Sequence, residues 1–410
     1  MRPTLHFTAR SGWINDPHGI TARDGGYDVF FQYVPDSTAW APHCHWGHAK
    51  GADLLSLLER DAAIAPGDGD DGVWTGCLVT DDGDARAFYT AISTPDFGIG
   101  RIRVARPTDA TWDRWDKGDV VVAAPEDMDL IAYRDPFIAR EGDGWRMFVG
   151  AAGADGTAMA LTYTSADLDT WVYDGVALSR SITETEPVWM GALWECPQIF
   201  EIDGVAVMIS SVWDQDVLHH VGYAVGSFDA GRFTPRRWGR LTWGDSLYAP
   251  SLFVDADGRA CLSFWLRGVA GEDWAGAHSV PYVLSIVEDD LVATPHPDVE
   301  SHRLSRSSDG RLPALTADIR WSEPLGSLEI LSGGGDDVVA SLRSSEGELS
   351  IEIDGVRSTV PLSGSARIIL DGPVLEVSSP AGVFAASIRP RGESFRVTAV
   401  DSPVEVFPLT

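Results

Sequence analysis

Three short boxes in this 410-residue chain each join an acid to a proline and an aromatic ring. They are Trp13-Ile14-Asn15-Asp16-Pro17-His18-Gly19, Tyr133-Arg134-Asp135-Pro136-Phe137 and Trp194-Glu195-Cys196-Pro197. Paired carboxylates on opposite sides of a scissile bond are the working parts of most glycosidases. One attacks as nucleophile; the other gives a proton to the leaving oxygen and later takes one from water. A third carboxylate beside an arginine can bind sugar hydroxyls and stabilise positive charge. Asp16 follows Asn15, whose amide can hold a carboxylate or a hydroxyl in place. Glu195 has the longer side chain and suits a proton donor, and Asp135 stands beside Arg134. The 16 Trp residues fit sugar recognition, since apolar sugar faces pack on flat rings, although Trp is equally core material.

The elements that would position these acids show a repeat. Asp16 lies eight residues before Asp24-Gly25, Asp135 eight before Asp143-Gly144, and Glu195 eight before Asp203-Gly204. Two further copies of the frame have turns at Asp82-Gly83 and Asp257-Gly258, with Trp74 and Ala249 at the equivalent positions. Asp-Gly between apolar runs is a strong hairpin signal, because a type I′ turn needs positive φ at both central residues. Five such turns at a period of about 60 residues, with about four strands each, read as a β-propeller. Radial symmetry would then bring Asp16, Asp135 and Glu195 to one end of a central channel. In this reading Arg101–Ala105 closes the second blade, and Asp167–Trp171 is the turn into the outer strand of the third.

After about residue 290 the texture changes. Thr294 to Leu315 is rich in Pro, Ser, His and Arg and reads as a linker. Short alternating strands follow, such as Val338–Leu342, Leu349–Ile353 and Val374–Val377, with turns at Asp354-Gly355, Asp371-Gly372 and Arg391-Gly392. They suggest a β-sandwich. The expected fold is therefore all-β: a five-bladed β-propeller catalytic domain over residues 1–293, a linker over 294–317, and a C-terminal β-sandwich over 318–410.

Composition narrows the partners. The net charge is −30, and Lys50 and Lys117 are the only lysines. An acidic surface repels nucleic acid and anionic membranes and fits a small neutral ligand. No run approaches the roughly 20 apolar residues needed to span a bilayer, and the N-terminus has no apolar signal-like segment. The four cysteines show no disulfide-scaffold spacing. A cytoplasmic protein with reduced thiols is expected. His43, Cys44, His45 and His48 match no standard zinc spacing, and the acidic loop Gly67–Gly72 lacks the twelve-residue calcium pattern. No metal is expected.

At the three boxes the chain resembles glycoside hydrolase family 32, the β-fructofuranosidases (invertases, inulinases, levanases) and related fructosyltransferases. Trp13 to Gly19 is similar to that family's W-M-N-D-P-N-G box, Arg134-Asp135-Pro136 to its R-D-P box, and Glu195-Cys196 to its E-C box. The resemblance implies a retaining double displacement on β-fructofuranosides, without metal or organic cofactor. By matching position it implies Asp16 as nucleophile, Glu195 as acid/base and Asp135 as transition-state stabiliser. It places Asn15, Gln32, Trp40, Trp74, Thr75 and Arg134 around the fructose, with Cys196 beside the acid/base. His18 stands where the family usually has Asn, Val34 where an Asn is common, and Thr75 where Ser is usual. The expected activity is hydrolysis of sucrose or short fructooligosaccharides. The alternatives are fructosyl transfer to a sugar acceptor through the same intermediate, and a non-catalytic sugar-binding propeller.

Overall fold

A computed structural model describes residues 1–334, 337–401 and 403–410 of a chain that is nearly all-β. Three four-stranded antiparallel sheets follow one another in sequence. They start at the strands Gly72–Asp81, Leu130–Glu141 and Leu193–Ile202. A larger sheet contains the strands that begin and end this part of the chain. It arises because Gly12 and Trp13, in the strand Gly12–Arg23, pair in parallel with Trp274 and Ala275. The opening strands pack on one another in order, from Gly12–Arg23 through Leu247–Val254, and the last packs on the first. Apolar side chains such as Val207, Ile209, Phe264 and Leu266 fill the space between neighbouring sheets.

The hairpin turns form largely where the Asp-Gly pairs stand. Asp24, Asp82 and Asp203 have φ of 53°, 47° and 50°, and the glycine after each is also positive. Two turns depart from the expected frame. At the third, Glu141 pairs with Gly144, so the turn is Gly142-Asp143, one residue early, with positive φ at Gly142. At the fifth, a loop from Asp255 to Arg259 replaces the two-residue turn, and the Asp255 carboxylate accepts the Asp257 and Arg259 N–H groups. The second sheet also continues past Arg101–Ala105 into a fourth strand, Trp115–Ala123. As expected, Asp167–Trp171 leads into the outer strand Val172–Ser181 of the third sheet.

Each opening strand carries an irregularity in its first half, and these fix the true register. Before the irregularity the pairs are Ile14 with Tyr33, Arg134 with Gly150, Glu195 with Ser211 and Tyr248 with Trp265. After it they are Pro17 with Phe31, Phe137 with Phe148, Gln198 with Ile209 and Ser251 with Ser263. Aligned this way, Thr75, Asp135, Cys196 and Ala249 are equivalent, each the first residue after the last such pair, whereas Asp16 is the second. Glu195 stands one residue earlier than Cys196, level with Ile14, Trp74, Arg134 and Tyr248. The eight-residue frame is therefore corrected. It miscounted because the third turn falls early and because the first strand holds a second irregularity between His18 and Thr21. The three acids do not share one strand position.

Beyond the strand Asp290–Pro295, the segment read as a linker contains a four-residue helix, Asp298–Ser301, whose Val299 is buried in the preceding core. The rest of the chain supplies five strands to each of two sheets, around a core that includes Trp321, Ile330, Ile351 and Ile368. Thr242 and Trp243, far upstream, add an edge to the six-stranded sheet by pairing in parallel with Val383 and Phe384. Asp354-Gly355 turns as expected. Asp371 instead ends its strand, and the turn is Gly372-Pro373. The four cysteines are free and buried.

Candidate active site

Asp16, Asp135 and Glu195 line one open cavity of about 580 Å³, with Asn15, Gln32, Trp40, Trp74 and Arg134. The irregularities explain how. Each opening strand would otherwise alternate its side chains about the sheet plane; the added residue turns consecutive side chains toward the cavity. Asp135, Cys196 and Ala249 take positive φ there, at 63°, 50° and 47°.

The three carboxylates are held differently. Asp16 is gripped by neutral donors: Asn15 Nδ2 donates to Oδ1 at 3.0 Å, and Gln32 Nε2 and Thr75 Oγ1 donate to Oδ2 at 3.2 and 2.6 Å. Trp13 Nε1 donates to Asn15 Oδ1 at 3.1 Å and so sets the amide with its NH2 toward Asp16. Asp135 Oδ2 accepts the Cys196 N–H at 3.0 Å, while the Asp135 N–H donates to Thr90 Oγ1 at 2.8 Å. Glu195 Oε1 accepts from Arg134 Nε and Nη2 at 3.2 and 2.9 Å, and Oε2 from the Tyr248 hydroxyl at 2.6 Å. The Cys196 thiol lies 3.7 Å from Asp16 Oδ2 and 3.8 Å from Asp135 Oδ2, a buried wedge between the two acids.

Burial dominates the electrostatics. It pushes Asp16 up to about 6; the Thr75 hydrogen bond opposes this and the Glu195 charge adds to it. Asp135 is pushed up to about 7 by burial, against the pull of Arg134 and with the push of Glu195 and Asp16. Burial and the neighbouring acids raise the Cys196 thiol well above its ordinary value, so it stays protonated. Among the described residues, the floor of the cavity is a cluster of acids with a single cation, Arg134.

The mouth is aromatic. Trp40, Trp74 and Phe97 contact one another with centroids 5.6 to 6.0 Å apart, and Trp13 meets Trp265 edge-on at 5.4 Å. Among the residues singled out from sequence, Thr75 and Cys196 sit behind this lining, in contact with Asp16. His18 lies within the strand Gly12–Arg23. Its ring packs on Trp46 at 4.2 Å, outside the main cavity. The histidines near position 45 do not converge. His48 pairs with Asp28 at 2.7 Å, and His43 with Asp36 at 3.2 Å.

Sequence reasoning missed Tyr248, which grips Glu195, and the wall residues Trp213, Leu218 and Trp265. A signal for Tyr248 existed. Its box, Tyr248-Ala249-Pro250, repeats the X-X-Pro pattern of Glu195-Cys196-Pro197 at the same register. Among the described residues, one cluster could in principle hold a metal: Asp255, Cys261 and His296, with donor atoms within 4.8 Å of one another. Arg259 already occupies it. Its Nε donates to Asp255 Oδ2 at 2.6 Å, and its Nη2 lies 3.4 Å from His296 Nε2.

The description "Glycosyl hydrolases family 32 N-terminal domain" matches residues 6–295. The chain belongs to glycoside hydrolase family 32. It is a hydrolase of the β-fructofuranosidase type. It is 29% identical over 355 residues to a sucrose-6-phosphate hydrolase of Zymomonas mobilis, spanning 80% of this chain and 69% of that one. It is 29% identical over 322 residues to a raffinose invertase of Escherichia coli, spanning 73% of this chain and 66% of that one. The family 32 β-fructofuranosidase BmSUC1 of Bombyx mori superposes with a TM-score of 0.86 at 24% identity, covering 100% of this chain and 94% of that chain.

Proposed function

We propose that the chain hydrolyses terminal β-D-fructofuranosides, sucrose or short fructooligosaccharides, by double displacement. The observation that carries this reading is the cavity floor: one carboxylate held by neutral donors beside another held by Arg134 and Tyr248. An Asp16 oxygen attacks the anomeric carbon of the fructosyl ring while Glu195 passes its proton to the leaving oxygen. The glycosidic bond breaks and a fructosyl ester on Asp16 forms. Glu195 then takes a proton from water, the water oxygen bonds to the anomeric carbon, and the ester bond breaks to restore Asp16. Asn15, Gln32 and Thr75 aim the Asp16 carboxylate before reaction, so little reorganisation remains. Asp135 accepts hydrogen bonds from fructose hydroxyls. Trp40 and Trp74 shape the entrance, and the Cys196 thiol fills the space between the acids.

The same reading treats residues 1–293 as a five-bladed propeller, 294–317 as a linker and 318–410 as a β-sandwich. The ordered packing of the opening strands supports it, as does the parallel pairing of Gly12 and Trp13 with Trp274 and Ala275, which joins first and last blades.

The test is release of free glucose and free fructose from sucrose. Equal amounts are expected, and none with Asp16→Asn. Glucose in clear excess over fructose means transfer to an acceptor. No release from sucrose, fructooligosaccharides or other fructosides leaves a sugar-binding protein.

A further inference from the structure

Resting on the reading of this cavity as a fructosidase site, we propose that Asp216 is a specificity residue. It makes the outer cavity accept an uncharged leaving group and reject a phosphorylated one. Asp216 and Gln215 form the two-residue turn of the hairpin between the strands Val205–Asp214 and Val217–Asp229, with Asp214 paired to Val217. Both turn residues take positive φ, 47° at Gln215 and 62° at Asp216, the pattern of a type I′ turn. The hairpin forms one wall of the mouth, where Trp213, Asp216 and Leu218 all line the cavity. Arg267 braces it from behind. Its guanidinium donates to the Leu218 and His219 carbonyls at 2.8 and 3.1 Å and lies over the Tyr248 ring. The Asp216 carboxylate therefore stands on a fixed arm rather than a loose loop.

Its effect follows from the charges around it. The described lining holds four carboxylates, Asp16, Asp135, Glu195 and Asp216, against one cation, and that cation is already bound by Glu195. Arg267 is not part of the lining. Hydroxyls of a neutral leaving group can donate to Asp216. A phosphate on that group brings about two negative charges and needs a basic partner. It finds like charge instead, in a cleft whose walls limit screening. The sucrose-6-phosphate hydrolases among the relatives make this contrast testable.

The experiment measures kcat/KM of the full chain for sucrose and for sucrose 6-phosphate, at low and high salt, in wild type and Asp216→Asn. Asn tolerates the left-handed backbone at this position, and the salt titration needs no substitution. The wild type is expected to prefer sucrose by at least about tenfold at low salt. That preference should shrink as the Debye length falls from roughly 30 Å at 0.01 M to roughly 3 Å at 1 M. Asp216→Asn should narrow it about three- to tenfold. Equal or better use of the phosphorylated sugar by wild type overturns the inference while leaving the fructosidase reading intact. So does a ratio that neither salt nor Asp216→Asn moves. Inactivity on every fructoside overturns both.

Discussion

Two buried acid clusters in this molecule use the same residue types to opposite ends. In the cavity, Asp16, Asp135 and Glu195 stand beside one guanidinium, which is bound by Glu195, and burial pushes Asp16 to about 6 and Asp135 to about 7. On the six-stranded sheet, Asp371 is equally buried but fully met. It accepts the N–H groups of Thr4, Leu5 and His6 at 2.7 to 2.8 Å, the Thr4 hydroxyl at 2.9 Å, and His6 Nδ1 at 2.9 Å. His6 Nε2 lies 2.8 Å from Glu376 Oε1; Val280 N–H and the Tyr282 hydroxyl also donate to Glu376. Burial would raise Asp371, but its bonds to His6 and the backbone hold it below the usual carboxylate range. Burial would likewise lower His6, yet its bonds to Asp371 and Glu376 carry it up to about 9. The difference teaches where to look for chemistry. Carboxylates with every lone pair answered tie the chain's first residues to its last sheet. Carboxylates left partly unanswered around an open cavity are kept for a substrate.

Substitutions in the two clusters should therefore diverge. The largest expected effect is on turnover. Asp16→Asn should lower kcat on sucrose by at least about 10³-fold, because it removes the attacking oxygen; steady-state kinetics measures this. Next is the structural cluster. Asp371→Ala strips His6 and three N–H groups of their acceptor and should cost about 3–5 kcal/mol in denaturant unfolding, while the folded fraction keeps its kcat/KM within about twofold. A lost kcat with unchanged stability would break the comparison.

A smaller effect should run the other way. Asp135→Asn removes a charge that burial disfavours, so at pH 7 the variant should be more stable than wild type by on the order of 1–3 kcal/mol, though less active. Calorimetry at pH 4 and pH 7 checks it, since the gain should vanish in acid.

The smallest effects are in pH dependence, and their signs follow from the directions of the shifts. Asp16 and Asp135 have folded values above the ordinary 3.8, so their contribution to stability is present below that value. It is lost as pH rises through about 6 and 7. His6 is raised from 6.5 to about 9, so its contribution is full below 6.5 and disappears as pH rises through about 9. Unfolding free energy should therefore show two separate declines, with His6→Gln abolishing the alkaline one. The acid limb of kcat/KM should fall near pH 6, where Asp16 takes up its proton.

The local parts of this picture were legible in the sequence. The boxes around Asp16, Asp135 and Glu195 name their own neighbours, and Asp-Gly at 24, 82 and 203 marks real turns because only positive φ closes them. The exact register was not legible. A one-residue change in turn position at Gly142 and a second irregularity after His18 are backbone adjustments that leave no compositional trace. The fourth strand Trp115–Ala123 was hidden by charged and glycine residues on an exposed edge. Nothing local links His6 to Asp371, which stand 365 residues apart; their pairing exists only because the chain's first segment packs on its last sheet. Asp371 looked like a turn residue because Gly follows it, whereas its carboxylate is the hub of the contact.

The central claim, that Asp16 carries the fructosyl group, can be tested by trapping. Glu195→Ala, which lacks the base for the second step, is mixed with fructosyl fluoride, whose leaving group needs little proton assistance. The protein is then digested and its peptides weighed. The account predicts one anhydrofructose unit on the peptide that contains Trp13 to Gly19, and none when Asp16→Asn is added. A fructosyl adduct on another residue, or hydrolysis by the double variant at the rate of Glu195→Ala, would contradict it.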